Sequence, residues 1–295
     1  MMPDGTTVSY AVLGHPVAHS LSPAMHNASL RALGRNAIYL AYDVAEEHVA
    51  TALCGMQRLG FGGVNVTIPL KHAAYRAVNR LDACARRLGV VNTVAFEKGG
   101  TTGYNTDGVG LLADLKERFG LHPHGLATLV LGCGGAGRAV ALTLAAEGAS
   151  SVALANRTPE RAQTVADDLR STGLPTTVSV LPSDLDAWSS AARKADLIVQ
   201  CTSSGMHVGD ASLLPAEAFR SGQCVYDLVY TAPQTPMLRV AAQAGAHTAN
   251  GLGMLLHQGA ASYRIWTGQD ADLVAMRQAL EWALKSKSHL GFAKV

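Results

Sequence analysis

The sequence predicts an α/β fold divided into two domains. Short apolar runs of strand character alternate with helical patterns through most of the chain. The stretch ATLVLGCGGAGRAVALTLAAEGA sends a strand (Leu129 to Leu131) through Gly132, Gly134 and Gly137 into a small-residue helix. A second strand, Val152 to Ala155, then ends in Asn156, Arg157 and Thr158, completing the start of a βαβ unit. With 295 residues, 48% hydrophobic and 16% charged, the chain can bury one large core or two modest ones, and two domains fit better.

In chain order, Tyr10 to Leu13 is a strand stopped by a polar loop, and a helix follows from about Pro23 to Gly34, proline being a start signal and glycine a stop. Ser20 and Ser22 stand just before that helix. Ser22 could be a plain cap with Ser20 idle, or the two hydroxyls could bind a carboxylate at the helix start. NAIYLAYDV is the next strand, EEHVATALCGMQRLG a helix, and FGGVNVTIPLKHAAYRAV strand, turn and helix, delivering Asn65, Thr67 and Lys71 across a turn at Pro69. A lone Lys71 reads as a solvated helix-start residue, so a catalytic reading needs a partner. RRLGVVNTVAF and GYNTDGVGLLADLKERFG each place an Asn and a Thr beside an apolar strand. The second adds Asp107, which could merely cap the helix that follows. Repeated Asn/Thr pairs at strand ends are what a pocket for a polyhydroxylated molecule needs, because each buried hydroxyl must find a partner.

In the glycine turn, Gly132 would make the tight turn, Gly134 would admit phosphates to the backbone, and Gly137 would let the helix pack close. A dinucleotide unit specific for NAD normally carries an acid near Asn156, and none is present. Arg157, with Thr158 and Arg161, suits a 2′-phosphate instead, since a guanidinium fork matches phosphate oxygens. The alternative is a solvated arginine at a helix start, where positive charge is mildly unfavourable. From Asp114 to about Ala249 the strand candidates are TLVLG, VALAN, TVSVL, LIVQCT and CVYDLVY, the fourth ending in a small-residue loop. GLGMLLHQGAASYRIWTG begins a helix, with Met254, Leu255 and Trp266 core by default, and EWALKS belongs to a second helical run.

Composition narrows the function classes. A net charge of +2 and a pI near 8.3, with Lys and Arg scattered, do not suit nucleic acid as a partner. Cys54, Cys84, Cys133, Cys201 and Cys224 are odd in number and far apart, which supports neither a disulfide framework nor a zinc site. His15, His19, His26, His207 and His257 show no recurring ligand spacing, so no metal is expected. Neither a signal-peptide pattern nor a membrane-spanning apolar run is seen, and a cytoplasmic protein without a membrane partner is expected.

The motifs HSLSPAMHN, NVTIPLK, VVNTV, YNTDGVG, GCGGAGRA, NRT, DLVYTAPQTPML and GLGMLLHQGA occur in the order and spacing of the shikimate dehydrogenase family, and the chain resembles that family through essentially its whole length. The resemblance implies reversible NADPH-dependent reduction of 3-dehydroshikimate to shikimate on the route to aromatic amino acids. It implies a substrate-binding domain of residues 1–108 and 255–295, a Rossmann-type NADP-binding domain of 109–254, and a cleft between them. Carried over by position, Ser20 and Ser22 would hold the substrate carboxylate with Tyr230 nearby. Asn65, Thr67, Asn92, Asp107 and Gln258 would bind ring hydroxyls, and Lys71 and Asp107 would form the catalytic pair. Gly132, Gly134, Gly135, Ala136, Gly137, Asn156, Arg157, Thr158 and Arg161 would bind NADP, with Thr202, Gly253 and Met254 lining the nicotinamide. Departures are small: Cys133 inside the glycine turn, Val90 before VNT, and a tail beyond about Leu284 that is longer than usual.

An ammonium at Lys71 can donate a proton to a developing alkoxide or stabilise it, and the sequence does not separate these. Two alternatives stay open: a quinate or aminoshikimate dehydrogenase with the same pair, and a noncatalytic NADP-binding sensor. A monomer and a homodimer are equally compatible with the sequence.

Overall fold

The computed structural model describes residues 2–207 and 209–289. The chain separates into two compact units: the first runs to Gly110 and resumes at Leu255, and the second is Leu111–Met254. The expected first domain and its long tail extend beyond the described residues at 290–295.

In the first unit β1 (Val8–Gly14), α1 (Ser22–Ala32), β2 (Ala37–Asp43), α2 (Val49–Arg58), β3 (Gly63–Val66), α3 (Lys71–Ala77), β4 (Arg80–Leu81), α4 (Ala83–Leu88), β5 (Thr93–Glu97) and β6 (Gly100–Tyr104) follow one another. They build a six-stranded sheet in the order β2-β1-β3-β5-β6-β4. The early strand–helix alternation yields parallel pairing of β1 with β2 and β3, whereas β5 runs antiparallel to both β3 and β6. The strand–helix alternation does not predict that reversal; between β5 and β6 it follows from the short Lys98–Gly99 connection, too brief for a parallel crossover. Ala11, Leu13, Val64, Val66 and Val94 seal one sheet face with Val49, Leu53 and Met56 of α2. Tyr10, Val12 and Tyr39 point the other way, into a cluster with Leu30 and Tyr263.

The helix α1 begins at Ser22, one residue earlier than expected, and its N-cap is Leu21, with no side-chain cap. Ser22 is therefore not a cap. Gly34 follows the helix with φ +62, the left-handed conformation a glycine tolerates best.

From α5 (Asp107–Phe119) the chain continues through β7 (Ala127–Leu131), α6 (Gly135–Ala146), β8 (Ser151–Ala155), α7 (Pro159–Ser171), β9 (Thr177–Val180), α8 (Leu185–Lys194), β10 (Leu197–Gln200), β11 (Cys224–Asp227), α9 (Pro236–Gln243) and β12 (His247–Asn250). The second sheet is wholly parallel, in the order β12-β11-β10-β7-β8-β9. This is the doubly wound order, with the reversal between β7 and β10, where ligands of such sheets bind. Strand β12 carries no apolar signal in the sequence, because HTAN buries only Ala249. The helices α10 (Leu252–Thr267) and α11 (Leu273–His289) close the described chain, α11 packing on α1. Among the described residues no helix is long and apolar enough to cross a membrane.

Candidate active site

Because β1 and β3 are parallel neighbours, the loops that follow them leave the same edge of the first sheet, and the His15 N–H donates to the Ile68 carbonyl between them. Lys71 opens α3, where a cation is mildly disfavoured by the helix dipole. Asp107, the first residue of α5, offsets this: its Oδ2 lies 2.6 Å from Lys71 Nζ. The two side chains are 23% and 13% exposed, open enough for a small molecule yet withdrawn from much of the solvent screening. Asp107 Oδ1 accepts a hydrogen bond from Asn92 Nδ2 at 2.9 Å. The capping reading of Asp107 fails, since both carboxylate oxygens are engaged elsewhere and its own N–H donates to Asn105 Oδ1 at 3.0 Å.

Behind this pair lies a buried polar network. Asn92 Oδ1 accepts from the Thr106 N–H at 2.8 Å and from the Thr93 hydroxyl at 2.9 Å. Asn65 pairs with Thr93 across β3 and β5, and its Nδ2 reaches the Thr93 and Ser262 hydroxyls at 3.1 and 2.9 Å and the Asn92 carbonyl at 3.1 Å. Its Oδ1 accepts from the Tyr39 hydroxyl at 2.7 Å. Gln258 on α10 sits with Oε1 3.5 Å from Asn92 Nδ2, while its Nε2 donates to the Leu255 carbonyl. The amide donors of Asn65 and Asn92 are thus largely committed inside the protein. What Asn65 retains for an outside hydroxyl is one lone pair of Oδ1.

Sequence reasoning did not single out Thr93, Thr106, Ser262 or Tyr39. The two threonines belong to the Asn/Thr pairs already noted; Ser262 lies 197 residues from Asn65 and gave no local signal.

Ser20 and Ser22 stand together. Ser20 Oγ accepts the Ser22 N–H at 3.2 Å, so Ser20 is not idle. Burial pushes the Tyr39 phenol well above its ordinary range, and the Ser22 side chain beside it pulls slightly the other way. The ring of His26 stacks on Tyr39 at 4.2 Å and 5°, and burial lowers that imidazole to about 3, so it is neutral. Thr67 fixes the turn at Pro69 through its backbone, donating to the Leu13 carbonyl and accepting from the Leu70 N–H, each at 2.8 Å.

In the second unit the glycine turn lies at the end of β7. Gly132 has φ +98, and a Cβ there would come within 2.6 Å of Thr202 Cγ2. A Cβ on Gly137 would fall 1.8 Å from the Gly132 carbonyl oxygen, so only glycine lets α6 pack on the turn. At Gly134 and Gly135 a Cβ would meet nothing, and α6, N-capped by Gly134 without a side-chain cap, keeps its first N–H groups beside that open space around Ala136. Uncapped N–H groups at a helix start beside open space fit a pyrophosphate.

Asn156 binds the turn itself: its Oδ1 accepts the Cys133 N–H at 3.0 Å and its Nδ2 donates to the Thr158 carbonyl at 2.8 Å. Arg157, Thr158 and Arg161 are exposed, and among the described residues neither arginine is in an ion pair. Thr202 follows β10, Tyr230 follows β11, and Gly253 and Met254 follow β12, all at the carboxyl edge that carries the glycine turn. Tyr230 is half-buried, and burial raises its phenol. Gly253 packs on the buried Asp114 carboxylate, where a Cβ would sit 1.9 Å from Oδ1.

Residues 12–94 match the family model of the shikimate dehydrogenase substrate-binding domain, 115–224 that of shikimate/quinate 5-dehydrogenase, and 251–281 that of the shikimate 5′-dehydrogenase C-terminal domain. A shikimate dehydrogenase (NADP+) of Moorella thermoacetica is 46% identical over 279 residues, 94% of each chain. Among solved structures, the shikimate 5-dehydrogenase of Thermus thermophilus in complex with NADP(H) and shikimate is 41% identical, with a TM-score of 0.84 over 94% of this chain and 100% of that one. The quinate dehydrogenase of Corynebacterium glutamicum in complex with NAD is 29% identical, with a TM-score of 0.85 over 94% of this chain and 99% of that one.

Proposed function

The chain belongs to the shikimate dehydrogenase family, and from that premise we propose that it reduces 3-dehydroshikimate to shikimate with NADPH, reversibly. The observation that carries the reading is the 2.6 Å contact of Lys71 with Asp107, braced by Asn92. Reducing a ketone to an alcohol needs a hydride on carbon and a proton on oxygen. NADPH, when bound, supplies the hydride. Lys71 holds the proton at the substrate's C3 oxygen, or stabilises the alkoxide that forms there. Asp107 orients the ammonium and accepts a hydrogen bond from a neighbouring ring hydroxyl, while Asn92 keeps the carboxylate from rotating away.

In the same reading Ser20 and Ser22 take the substrate carboxylate, with Tyr230, and Thr67, Asn65 and Gln258 take ring hydroxyls. The turn from Gly132 to Gly137 with Asn156, Arg157, Thr158 and Arg161 holds NADP, and Thr202, Gly253 and Met254 serve the nicotinamide. In this reading the setting is a reducing cytoplasm, which the five free cysteines suit, the partners are small molecules, and the chain acts as a monomer or homodimer.

Initial rates with shikimate and with quinate, each with NADP and with NAD, test the proposal. Shikimate with NADP is expected to be fastest. Faster turnover of quinate would assign the chain to the quinate branch, and NADP binding without turnover of any of these acids would make it a sensor.

A further inference from the structure

Gln200 and Asp227 end two adjacent parallel strands and pair directly in register, so their side chains share a face. Both are buried, at 1% and 0% exposure. Gln200 Nε2 donates to Asp227 Oδ1 at 3.1 Å and to the Ser204 carbonyl at 2.9 Å, and Gln200 Oε1 accepts the Thr202 N–H. On the other side Asp227 Oδ1 accepts the Val229 N–H at 2.9 Å, and Oδ2 accepts the Thr235 hydroxyl at 2.6 Å. Thr235 in turn caps α9 through the Leu238 N–H. One pair of side chains therefore ties the loop that carries Thr202 to the loop that carries Tyr230.

We propose that Gln200 and Asp227 are positioning residues for the reaction, locking these two loops together so that Thr202 and Tyr230 keep the places that cofactor and substrate require. This rests on the shikimate and NADP reading above. A purely structural explanation is less economical. A buried carboxylate whose partners are all neutral donors is costly, and burial holds this one at about 6 instead of its ordinary value. An apolar side chain would fill the same space more cheaply. What the carboxylate adds is acceptor capacity for three donors, the Gln200 amide at the end of β10 and the Val229 N–H and Thr235 hydroxyl of the loop after β11, where an Asn would offer a single oxygen.

The test combines NADPH binding, read by fluorescence titration, with KM and kcat for shikimate in the wild type, Asp227→Asn, Gln200→Leu and the double variant. Each single change is expected to weaken NADPH binding about tenfold and to raise the KM for shikimate, as the loss of one buried anchoring bond would. The loss in the double variant is expected to fall well short of the product of the two single losses, because both changes remove the same pairing. Folded single variants with unchanged binding and KM would overturn the proposal, as would a double variant whose loss is the product of the two single losses. If the Asp227 variants do not fold, Gln200→Leu decides: the same tenfold loss supports the pairing, and unchanged binding overturns it. NADPH titration needs no turnover, so a wild type that binds NADPH without oxidising shikimate would count against the functional reading and leave the loop test standing.

Discussion

Lys71 Nζ lies 2.6 Å from Asp107 Oδ2, and the other oxygen of the same carboxylate accepts a hydrogen bond from Asn92 at 2.9 Å. Neither half of the ion pair can swing out without leaving a partly buried group unpaired. Replacing Lys71 by Ala is expected to lower kcat by about 10²–10⁴ while changing the KM for shikimate little, as for the loss of a proton donor that acts in the transition state. Steady-state kinetics check this, and near-normal turnover would remove Lys71 from the chemistry.

The paired hydroxyls of Ser20 and Ser22 are expected to act on affinity. Ser20→Ala with Ser22→Ala should raise the KM for shikimate and leave kcat nearly as it was, because a carboxylate remote from C3 is held alike in ground and transition state. An unchanged KM would confine both residues to local contacts, Ser20 with the Ser22 N–H and Ser22 beside Tyr39.

Arg157→Ala separates the two dinucleotides. Loss of a charge-assisted bond to the 2′-phosphate is expected to weaken NADP binding roughly tenfold to a hundredfold and to leave NAD nearly untouched. Titration of both cofactors decides; equal losses for both would make the arginine a general electrostatic contributor.

The glycines of the turn differ in what they protect. Gly137→Ala would drive a methyl to 1.8 Å from the Gly132 carbonyl oxygen, so a clear drop in thermal midpoint or insoluble protein is expected. Gly134→Ala meets no protein atom, and its expected effect is weaker NADPH binding at an unchanged midpoint. Equal midpoints for the two variants would contradict the packing.

His26 predicts a pH signature. Burial lowers its pKa from 6.5 to about 3, so its stabilising contribution is whole above pH 6.5 and is lost as pH falls toward 3, at about 1.4 kcal/mol per unit. Asp227, raised by burial from 3.8 to about 6, acts in the opposite sense: the native state takes the proton first, so stability rises as pH falls from about 6 to about 4. Over that window the two slopes cancel. In His26→Leu the His26 slope is gone, and the stability gap to the wild type should narrow by about 1.4 kcal/mol per pH unit below 6.5, measured by denaturant unfolding. Parallel pH curves would show that His26 is not held neutral.

Much of the chemistry was legible in local patterns. The Gly132, Gly134 and Gly137 spacing, Arg157 in place of an acid, and the strand–helix alternation depend on neighbours in the chain, and they gave the fold class and the dinucleotide turn directly. Other features were misread for equally physical reasons. Ser22 and Asp107 stand where capping residues stand, and only the positions of Tyr39 and Lys71 show that their side chains are used otherwise. Strand β12 buries too little, and the antiparallel β5–β6 hairpin depends on a connection length rather than on periodicity.

By itself the sequence determined which groups this protein can bring to bear: an ammonium, a carboxylate, paired hydroxyls, a glycine turn and a guanidinium. The tertiary structure decided which of them meet. Lys71 and Asp107 are 36 residues apart, and Asn65 and Ser262 are 197 apart; their contacts exist because strand register and helix packing close long loops, a cooperative result that no short window of sequence encodes.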